Sequence, residues 1–429
     1  MLAPPPSAHS HNPVVRYFKL LGPGLVTGAA DDDPGGITTY SVAGASLGLG
    51  LLWTALATFP LMAAVQLICA RIGLVSGRGL AGALRGHYPR AFLYVACLLL
   101  LGANIFNISA DLAGMADVTR MLTDIPPLVS VPVFGLGILA VTVYTSYTTF
   151  ARYLKWLTGV LFAYVVAAFL AHPHWGQALL ATVVPTFRWD AGFVTTFVGI
   201  LGTTISPYLF FWQASQEVEE ERAKGRRTLA ARRGATEHEL RDARLDVTTG
   251  MCFSNLVMYF IILTTASTLY QTGHRDIETS RQAAEALRPL AGDAAYLLFA
   301  LGVIGTGLLA IPVLAGSASY AVAELFAWRS GLELPPRRAR GFYLVLSAAM
   351  VAGMILVGFG TSPIRMLFLS AVANGLLAPP LLLLVMLVGN NRDIMGAHTN
   401  GLWLNVFGWA ATALMALAAV VFFFVTALA

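Results

Sequence analysis

The sequence predicts an all-α membrane protein with eleven transmembrane helices, of which the first and the sixth are interrupted. Three observations support this prediction. The 429 residues are 57% hydrophobic and 11% charged, with a mean hydropathy of +0.71, whereas about 25% of the residues in a soluble domain are charged. Apolar runs of roughly 20 residues, the length that crosses a bilayer, recur along the chain. Two of these runs contain proline, glycine and polar residues at their centres.

The same composition argues against a soluble enzyme, a nucleic-acid-binding protein and a disordered scaffold. The formal net charge is +5, but the basic residues lie in short segments between apolar runs, which is not a nucleic-acid-binding pattern. The three cysteines show no CxxC spacing, so they predict neither a disulfide framework nor a zinc site. The sequence contains no GxxxxGK[ST] motif for binding ATP.

Hydropathy and helix-breaking residues define the spans. They cover residues 17–48, 51–70, 91–117, 131–150, 153–172, 191–215, 246–270, 293–325, 341–361, 365–389 and 401–428. We expect residues 1–15 to form a disordered tail. Residues 16–389 are expected to form the membrane core, as two inverted five-helix repeats of about 16–172 and 191–389. Residues 390–429 add the eleventh helix.

The orientation follows from the distribution of Lys and Arg. With the N-terminus in the cytoplasm, 21 of the 27 basic residues fall on the cytoplasmic side and 6 on the other side. Such an excess predicts a cytoplasmic N-terminus and an extracytoplasmic C-terminus. We expect a multi-pass protein of a bacterial-type inner membrane. The most charged segment, residues 216–245, is then a cytoplasmic loop, and its composition predicts a solvated amphipathic helix.

The first interruption contains three consecutive carboxylates, Asp31, Asp32 and Asp33, followed by Pro34 and two glycines. A single Asp at the bilayer centre costs about 2.5–3.5 kcal/mol even on a lenient scale, so three must face water, a cation or a basic partner. Asp33 and Pro34 are also a helix-start signal, with Asp as N-cap and Pro in the first turn. A helix that begins there requires the previous one to end, which predicts an unwound segment lining a cavity.

The second interruption lies in the sixth span, where Pro207 removes a backbone donor and frees a carbonyl near Thr203. The two interruptions occupy the same place in two successive units of five spans. Paired interruptions in corresponding halves indicate a transporter with its substrate site at the breaks. We therefore infer inverted repeats of spans 1–5 and 6–10, with helices 1 and 6 unwound at the midplane.

At these residues the chain resembles the Nramp family of divalent metal transporters, which has the LeuT-type fold. The first-span motif Asp-Pro-Gly-Asn and the sixth-span motif Ala-x-x-Met-Pro-His of that family are partly kept. Further similarity lies around Asp111 in the third span and Ala378-Pro379 in the tenth. The motif residues read here as Asp33-Pro34-Gly35-Gly36 and Thr203-Thr204-Ile205-Ser206-Pro207-Tyr208.

The resemblance implies a metal site made by the Asp33 carboxylate and the Thr203 carbonyl. At the other two ligand positions stand Gly36, which offers no side chain, and Ser206, which offers a hydroxyl where the family has a thioether. Carboxylate, carbonyl, hydroxyl and water oxygens suit Mg²⁺ and Mn²⁺. We therefore expect a hard, partly hydrated cation, in a cavity that the smaller side chains enlarge.

The proton relay of the family uses a sixth-span His and a third-span Glu, and Tyr208 and Gly114 stand at these positions. Because His is the natural proton carrier near neutral pH, the resemblance implies weak or absent proton coupling. Asp111 is kept. We expect it to form a structural salt bridge with cytoplasmic Arg337 or Arg338, with a role in a proton relay as the alternative.

The roles of several residues stay open. Asp31 and Asp32 are additional to the motif and are candidates for outer-shell ligands, gate residues or a substitute proton carrier. Tyr208 is a further candidate for an outer-shell or gate role. Asn374, one turn before a Pro-Pro pair, is equally a helix–helix hydrogen bond or a ligand.

The leading expectation is a secondary transporter of divalent metal cations that works by alternating access. The cation is its substrate and the bilayer its surroundings; we expect no cofactor, no nucleic acid and no protein partner. A proton-coupled Mn²⁺/Fe²⁺ importer is the alternative. A Na⁺-coupled amino-acid symporter shares the fold, but Asp31 to Asp33 would repel the carboxylate of its substrate. The paired interruptions argue against a non-transporting receptor.

Overall fold

The computed structural model describes residues 22–145, 158–359 and 362–428, and no strand occurs in these ranges. The predicted tail 1–15, the start of the first span and the start of the fifth span lie outside the described residues. The helices of the first half, α1 to α8, are Pro23–Asp31, Pro34–Leu47, Trp53–Ser76, Leu80–Leu84, Arg90–Thr123, Pro127–Tyr144, Phe162–Leu170 and Trp175–Val183.

The second half is also built of helices. Its helices, α9 to α19, are Ala191–Thr204, Pro207–Ala223, Leu229–Arg232, Glu237–Thr265, Ser280–Ala284, Arg288–Ala291, Ala295–Leu325, Arg340–Val357, Pro363–Gly389, Arg392–Met395 and Leu402–Leu428. The all-α membrane fold is confirmed, and most predicted spans match a helix to within several residues. The sequence did not predict α8, which lies between the fifth and sixth spans.

Nine helical stretches within the described ranges are long and apolar enough to cross a membrane. The first span is not among them, because it is divided into α1 and α2, which have 9 and 14 residues. The fifth span is described only from Thr158 onwards. The total of eleven spans therefore stays a prediction.

A seam of glycines presses α1 against α12. A Cβ atom on Gly24 would lie 2.6 Å from the backbone nitrogen of Val247, and Gly28 packs directly on the backbone of Gly250. Only residues without a side chain allow two backbones to approach so closely. The seam fixes the position of the C-terminal end of α1, where the first interruption begins.

The N-terminal end of α1 is held by a carboxylate of the same neighbouring helix. Asp246 of α12 accepts hydrogen bonds from the backbone N–H groups of Gly22, Gly24 and Leu25 at 2.9, 2.6 and 3.1 Å. These N–H groups have no partner within α1, and a negative charge is favourable at a helix N-terminus. The carboxylate therefore caps a helix to which it does not belong.

The charged segment 216–245 is not the single solvated helix that its composition predicts. The helices α10 and α12 both extend into it, with the short α11 between them. Glu217 and Glu221 are buried. The described ion pairs of this segment include Arg222–Glu219 at 2.5 Å, Arg226–Glu239 at 2.7 Å, and Arg226–Glu221. The mixed charges neutralise one another at a folded end of the bundle rather than in a free helix.

The seam predicts that Gly250→Ala destabilises the protein whereas Gly102→Ala does not. Both glycines lie inside helices, so alanine improves helix propensity at both. A Cβ at position 250 would overlap the Gly24 carbonyl, whereas nothing lies within 4 Å of one at position 102. Overpacking of this kind costs about 1–3 kcal/mol. Thermal unfolding of the two purified variants measures the difference, and equal melting temperatures would contradict the seam.

Candidate cation site at the two helix breaks

The first break lies between α1 and α2. Asp32 leaves helical geometry, and Asp33 adopts an extended conformation (φ −67°, ψ 172°) as the N-cap of α2. The Oδ1 atom of Asp33 accepts a hydrogen bond of 2.6 Å from the Gly36 N–H group. The predicted helix start with Pro34 in the first turn is confirmed. The capping bond leaves the second carboxylate oxygen of Asp33 free for another contact.

The second break lies between α9 and α10. The helix α9 ends at Thr204, and α10 begins at Pro207 with Ser206 as its extended N-cap. The Ser206 hydroxyl donates to the Thr203 carbonyl at 2.8 Å and approaches the Gly202 carbonyl at 3.1 Å. A donating hydroxyl keeps its lone pairs. The Thr203 carbonyl and the Ser206 oxygen are therefore adjacent acceptors.

The two breaks use the same device. In a continuous helix, the carbonyls of Ala30 and Thr203 would accept from residues 34 and 207, which are both prolines without an N–H group. The freed Thr203 carbonyl accepts from Ser206. The freed Ala30 carbonyl accepts from the Tyr208 hydroxyl at 2.8 Å. A side chain of the sixth span thus completes the break in the first span.

Five of the predicted site residues come together where the breaks meet. The Tyr208 hydroxyl lies 3.4 Å from Oδ2 of Asp33, and a Cβ on Gly36 would lie 3.0 Å from Oγ1 of Thr203. Asp33 is 5% exposed, and Thr203, Ser206 and Tyr208 are at most 3% exposed. The cluster is closed to solvent, and its donors are all oxygens.

The expected enlargement of the cavity at Gly36 is wrong for this structure. A Cβ at this position would meet Thr203 Oγ1 at 3.0 Å, the Asp31 carbonyl at 3.2 Å and Asp33 Oδ1 at 3.4 Å. The neighbours have closed around the glycine, because the breaks pack directly on each other. Space for retained waters would have to come from movement of Thr203.

Asp31 and Asp32 turn towards α12 rather than towards α10. Both are fully buried. The Ser254 hydroxyl lies 2.6 Å from Oδ2 of Asp31 and 3.2 Å from Oδ1 of Asp32. The other oxygen of each carboxylate has no hydrogen-bond partner among the described residues. Nothing in the sequence around Ser254 indicated this contact.

The predicted salt bridge between Asp111 and Arg337 or Arg338 does not form in the structure. Both arginines are exposed. Asp111 is buried in α5, close to Asp33 and the Gly35 backbone. Asp111 lies near the middle of α5 and not at its end. The third span therefore brings a carboxylate to the depth of the helix break and not to the cytoplasmic arginines.

Asn374 makes the helix–helix hydrogen bond that was one of its two expected roles. It exchanges two side-chain bonds with Asn107 of α5, at 3.0 and 3.3 Å. At the first of the two positions where the family has its proton relay, the Tyr208 hydroxyl donates to the Ala30 carbonyl. A Cβ on Gly114 would lie 2.8 Å from a methyl group of Leu367, so packing fills that position. Each histidine that the structure describes lies in a loop or at a helix end.

A row of buried, hydrogen-bonded polar side chains leads away from the breaks, and the sequence did not predict it. Thr27 of α1 donates to Gln213 of α10 at 2.5 Å, and Gln213 donates to Glu217 at 2.9 Å. Glu217 lines a cavity of about 60 Å³ together with Glu220, Lys224 and Asp246. This row of side chains therefore connects α1 to the charged end of the bundle.

The described residues contain no group of three or more His, Cys, Asp or Glu side chains arranged to hold a metal ion. The breaks instead offer the Asp33 carboxylate together with backbone and hydroxyl oxygens. Such a donor set fits a hard cation that keeps part of its hydration shell. Two broken helices that meet at a closed polar cluster in a bundle of membrane-length helices define a secondary transporter.

Comparison with known proteins identifies the family. The sequence model of the Nramp family, described as natural resistance-associated macrophage protein-like, matches residues 24–425, and the chain belongs to this family. It is a transporter and not an enzyme. A divalent metal cation transporter MntH of Klebsiella pneumoniae is 26% identical over 414 residues, which cover 92% of this chain and 91% of the relative. An MntH of Acidiphilium cryptum is 27% identical over 393 residues, covering 90% and 84%.

Solved structures show the same fold. A manganese transporter of Eremococcus coleocola superposes with a TM-score of 0.72 at 19% identity, covering 96% of this chain and 87% of that one. The transporter MHP1, of the nucleobase-cation-symport-1 family, superposes with a TM-score of 0.56 at 16% identity, covering 93% and 92%. The predicted LeuT-type fold is confirmed.

Proposed function

We propose that this protein moves divalent metal cations across the membrane by alternating access, with Asp33 as the carboxylate ligand. The observation that supports the proposal is the position of Asp33, which is buried at the junction of the two breaks, with its Oδ2 atom 3.4 Å from the Tyr208 hydroxyl of the sixth span. The names of the relatives as divalent metal cation transporters agree with it. Ser206 contributes its hydroxyl, and Gly36 contributes only backbone.

The proposed substrate is a hard cation, Mg²⁺ or Mn²⁺. None of the side chains of Asp33, Gly36, Thr203 and Ser206 carries sulfur or nitrogen. Oxygen ligands favour hard cations, whereas a thioether would favour softer ones. A proton-coupled Mn²⁺/Fe²⁺ importer is the alternative, because the E. coleocola protein of the same fold is described as a manganese transporter.

A Na⁺-coupled amino-acid symporter fits the site less well. In such transporters the N-terminus of a half-helix receives the carboxylate of the substrate. Here the Asp33 side chain already occupies the N-terminus of α2 through the Gly36 N–H group. Asp31 and Asp32 add negative charge beside it, so an anionic substrate would be repelled.

For the organisation of the chain, we propose a transport core of residues 16–389 in two inverted repeats, with the helix of residues 390–429 appended. The Lys and Arg distribution supports a cytoplasmic N-terminus and an extracytoplasmic C-terminus in a bacterial-type inner membrane. In this orientation the row of polar side chains from Thr27 to Glu217 runs towards the cytoplasm. It offers a moving cation a series of oxygen ligands.

Asp33→Asn should abolish metal uptake into liposomes and leave folding intact. Asn caps a helix as well as Asp does, so the exchange keeps the cap and removes only the charge. The matched control is Asp190→Asn, because Asp190 is the N-cap of α9 and accepts from Phe193 at 3.0 Å, far from the breaks. Unchanged flux in a well-folded Asp33→Asn protein would remove the central claim.

Ser206→Met should raise the preference for Cd²⁺ and Mn²⁺ over Mg²⁺. A sulfur ligand that contributes about 1.4 kcal/mol to Cd²⁺ binding shifts selectivity about tenfold. Ser206→Cys tests the same effect with little change in volume. Competition by each metal against a fluorescent flux reporter measures the selectivity, with Ser362→Met at the exposed start of α17 as the control. A wild-type protein that already excludes Mg²⁺ and prefers Cd²⁺ would contradict the oxygen-only site.

Metal uptake should not acidify the liposome lumen, because Tyr208 and Gly114 stand where the family has its proton carriers. A pH-sensitive dye inside the liposomes follows the proton, while a metal indicator follows uptake in the same sample. A protonophore added at the end shows that the dye responds. A metal-dependent fall in internal pH that disappears in Asp33→Asn would show that protons are coupled through other residues.

A further inference from the structure

The buried carboxylates around the first break exceed what one transported cation can neutralise. Asp31, Asp32, Asp33 and Asp111 are each at most 5% exposed, and none takes part in an ion pair among the described residues. A divalent cation bound at Asp33 compensates two negative charges. Burial of unpaired charge is strongly unfavourable, so the remaining carboxylates must be neutralised either by protons or by a second cation.

The contacts of Ser254 locate the missing positive charge. Its hydroxyl approaches Asp31 at 2.6 Å and Asp32 at 3.2 Å, but a hydroxyl has one hydrogen and donates to one of them. Ionised carboxylates have no hydrogen to give. In the second contact, two oxygen atoms therefore face each other without a hydrogen between them, and they repel each other. A cation bound to both oxygen atoms would make this contact favourable.

Two further observations concern the same two carboxylates. Oδ1 of Asp31 and Oδ2 of Asp32 are buried and have no hydrogen-bond partner among the described residues. The carboxylates also lie at the C-terminal end of α1, which carries the negative end of the helix dipole. Both the free oxygens and the dipole favour a cation.

We propose that Asp31, Asp32 and Ser254 form a second cation site, occupied together with the site at Asp33. This inference rests on the proposed metal transport and adds a second metal to it. Two carboxylates and a hydroxyl form a hard, oxygen-only set, which suits Mg²⁺ or Mn²⁺ with waters completing the shell. The glycine seam between α1 and α12 is what brings Ser254 to the carboxylates.

The test counts Mn²⁺ bound per chain by equilibrium dialysis of the purified, full-length protein. Wild type should bind two equivalents. The Asp31→Asn, Asp32→Asn double variant should bind one, and Ser254→Ala should weaken one of the two equivalents by about tenfold, the effect of 1.4 kcal/mol. Asp293→Asn removes a negative charge from a side chain that is 97% exposed and should keep two equivalents.

If the wild-type protein binds only one Mn²⁺ ion per chain, the second site is overturned. This result would mean that protons neutralise Asp31 and Asp32. The same conclusion follows if the double variant binds as many ions as wild type. This wild-type count decides the matter even if the double variant fails to fold. Asp33→Asn should bind one ion, held by Asp31 and Asp32. If Asp33→Asn instead keeps both ions, the proposed role of Asp33 fails while the count of two still supports a second metal.

Discussion

The missing N–H groups of Pro34 and Pro207 determine much of what the two breaks do. Each proline leaves a carbonyl without its helical donor, at Ala30 and at Thr203. In a buried bundle no bulk water can replace such a donor, so another group of the protein must do so. Ser206 supplies it within its own break, and Tyr208 supplies it to the break in the other repeat. The prolines that interrupt the helices therefore also create the unpaired carbonyl groups, and a hydrogen bond to one of these groups links the two breaks.

The helix α1 is attached at both ends to elements outside its own span. Asp246 of α12 caps its N-terminus, the glycine seam packs it against α12, and the Tyr208 hydroxyl of α10 donates to the Ala30 carbonyl near its C-terminal end. Since a single hydrogen bond contributes about 0.5–1.5 kcal/mol net, a few of these contacts could be exchanged at modest cost. Asp33 is buried beside these contacts, so the proposed alternating access requires some of them to be exchanged.

Local rules predicted the breaks, and long-range packing determined the partners. The Asp-Pro start of α2 and the proline break at α10 follow from residues adjacent in sequence, and both are confirmed. The salt bridge assigned to Asp111 was wrong, because no local signal shows which helix a buried carboxylate faces. Ser254 was missed for the same reason. Even so, the carbonyl of Ala30 could have been found from sequence, since Pro34 lies four residues after it.

The chemistry of the breaks differs from a conventional metal centre, because protein ligands are few and negative charges are many. Asp33 uses one oxygen to cap α2, and Ser206 uses its hydrogen on the Thr203 carbonyl. A cation bound there must therefore keep some of its own water, which Mg²⁺ does readily. Attraction by buried carboxylates is non-directional and distinguishes cations chiefly by charge. Under the proposed metal transport, the number of carboxylates therefore favours divalent over monovalent ions, and the hydration that the closed breaks allow decides among the divalent ones.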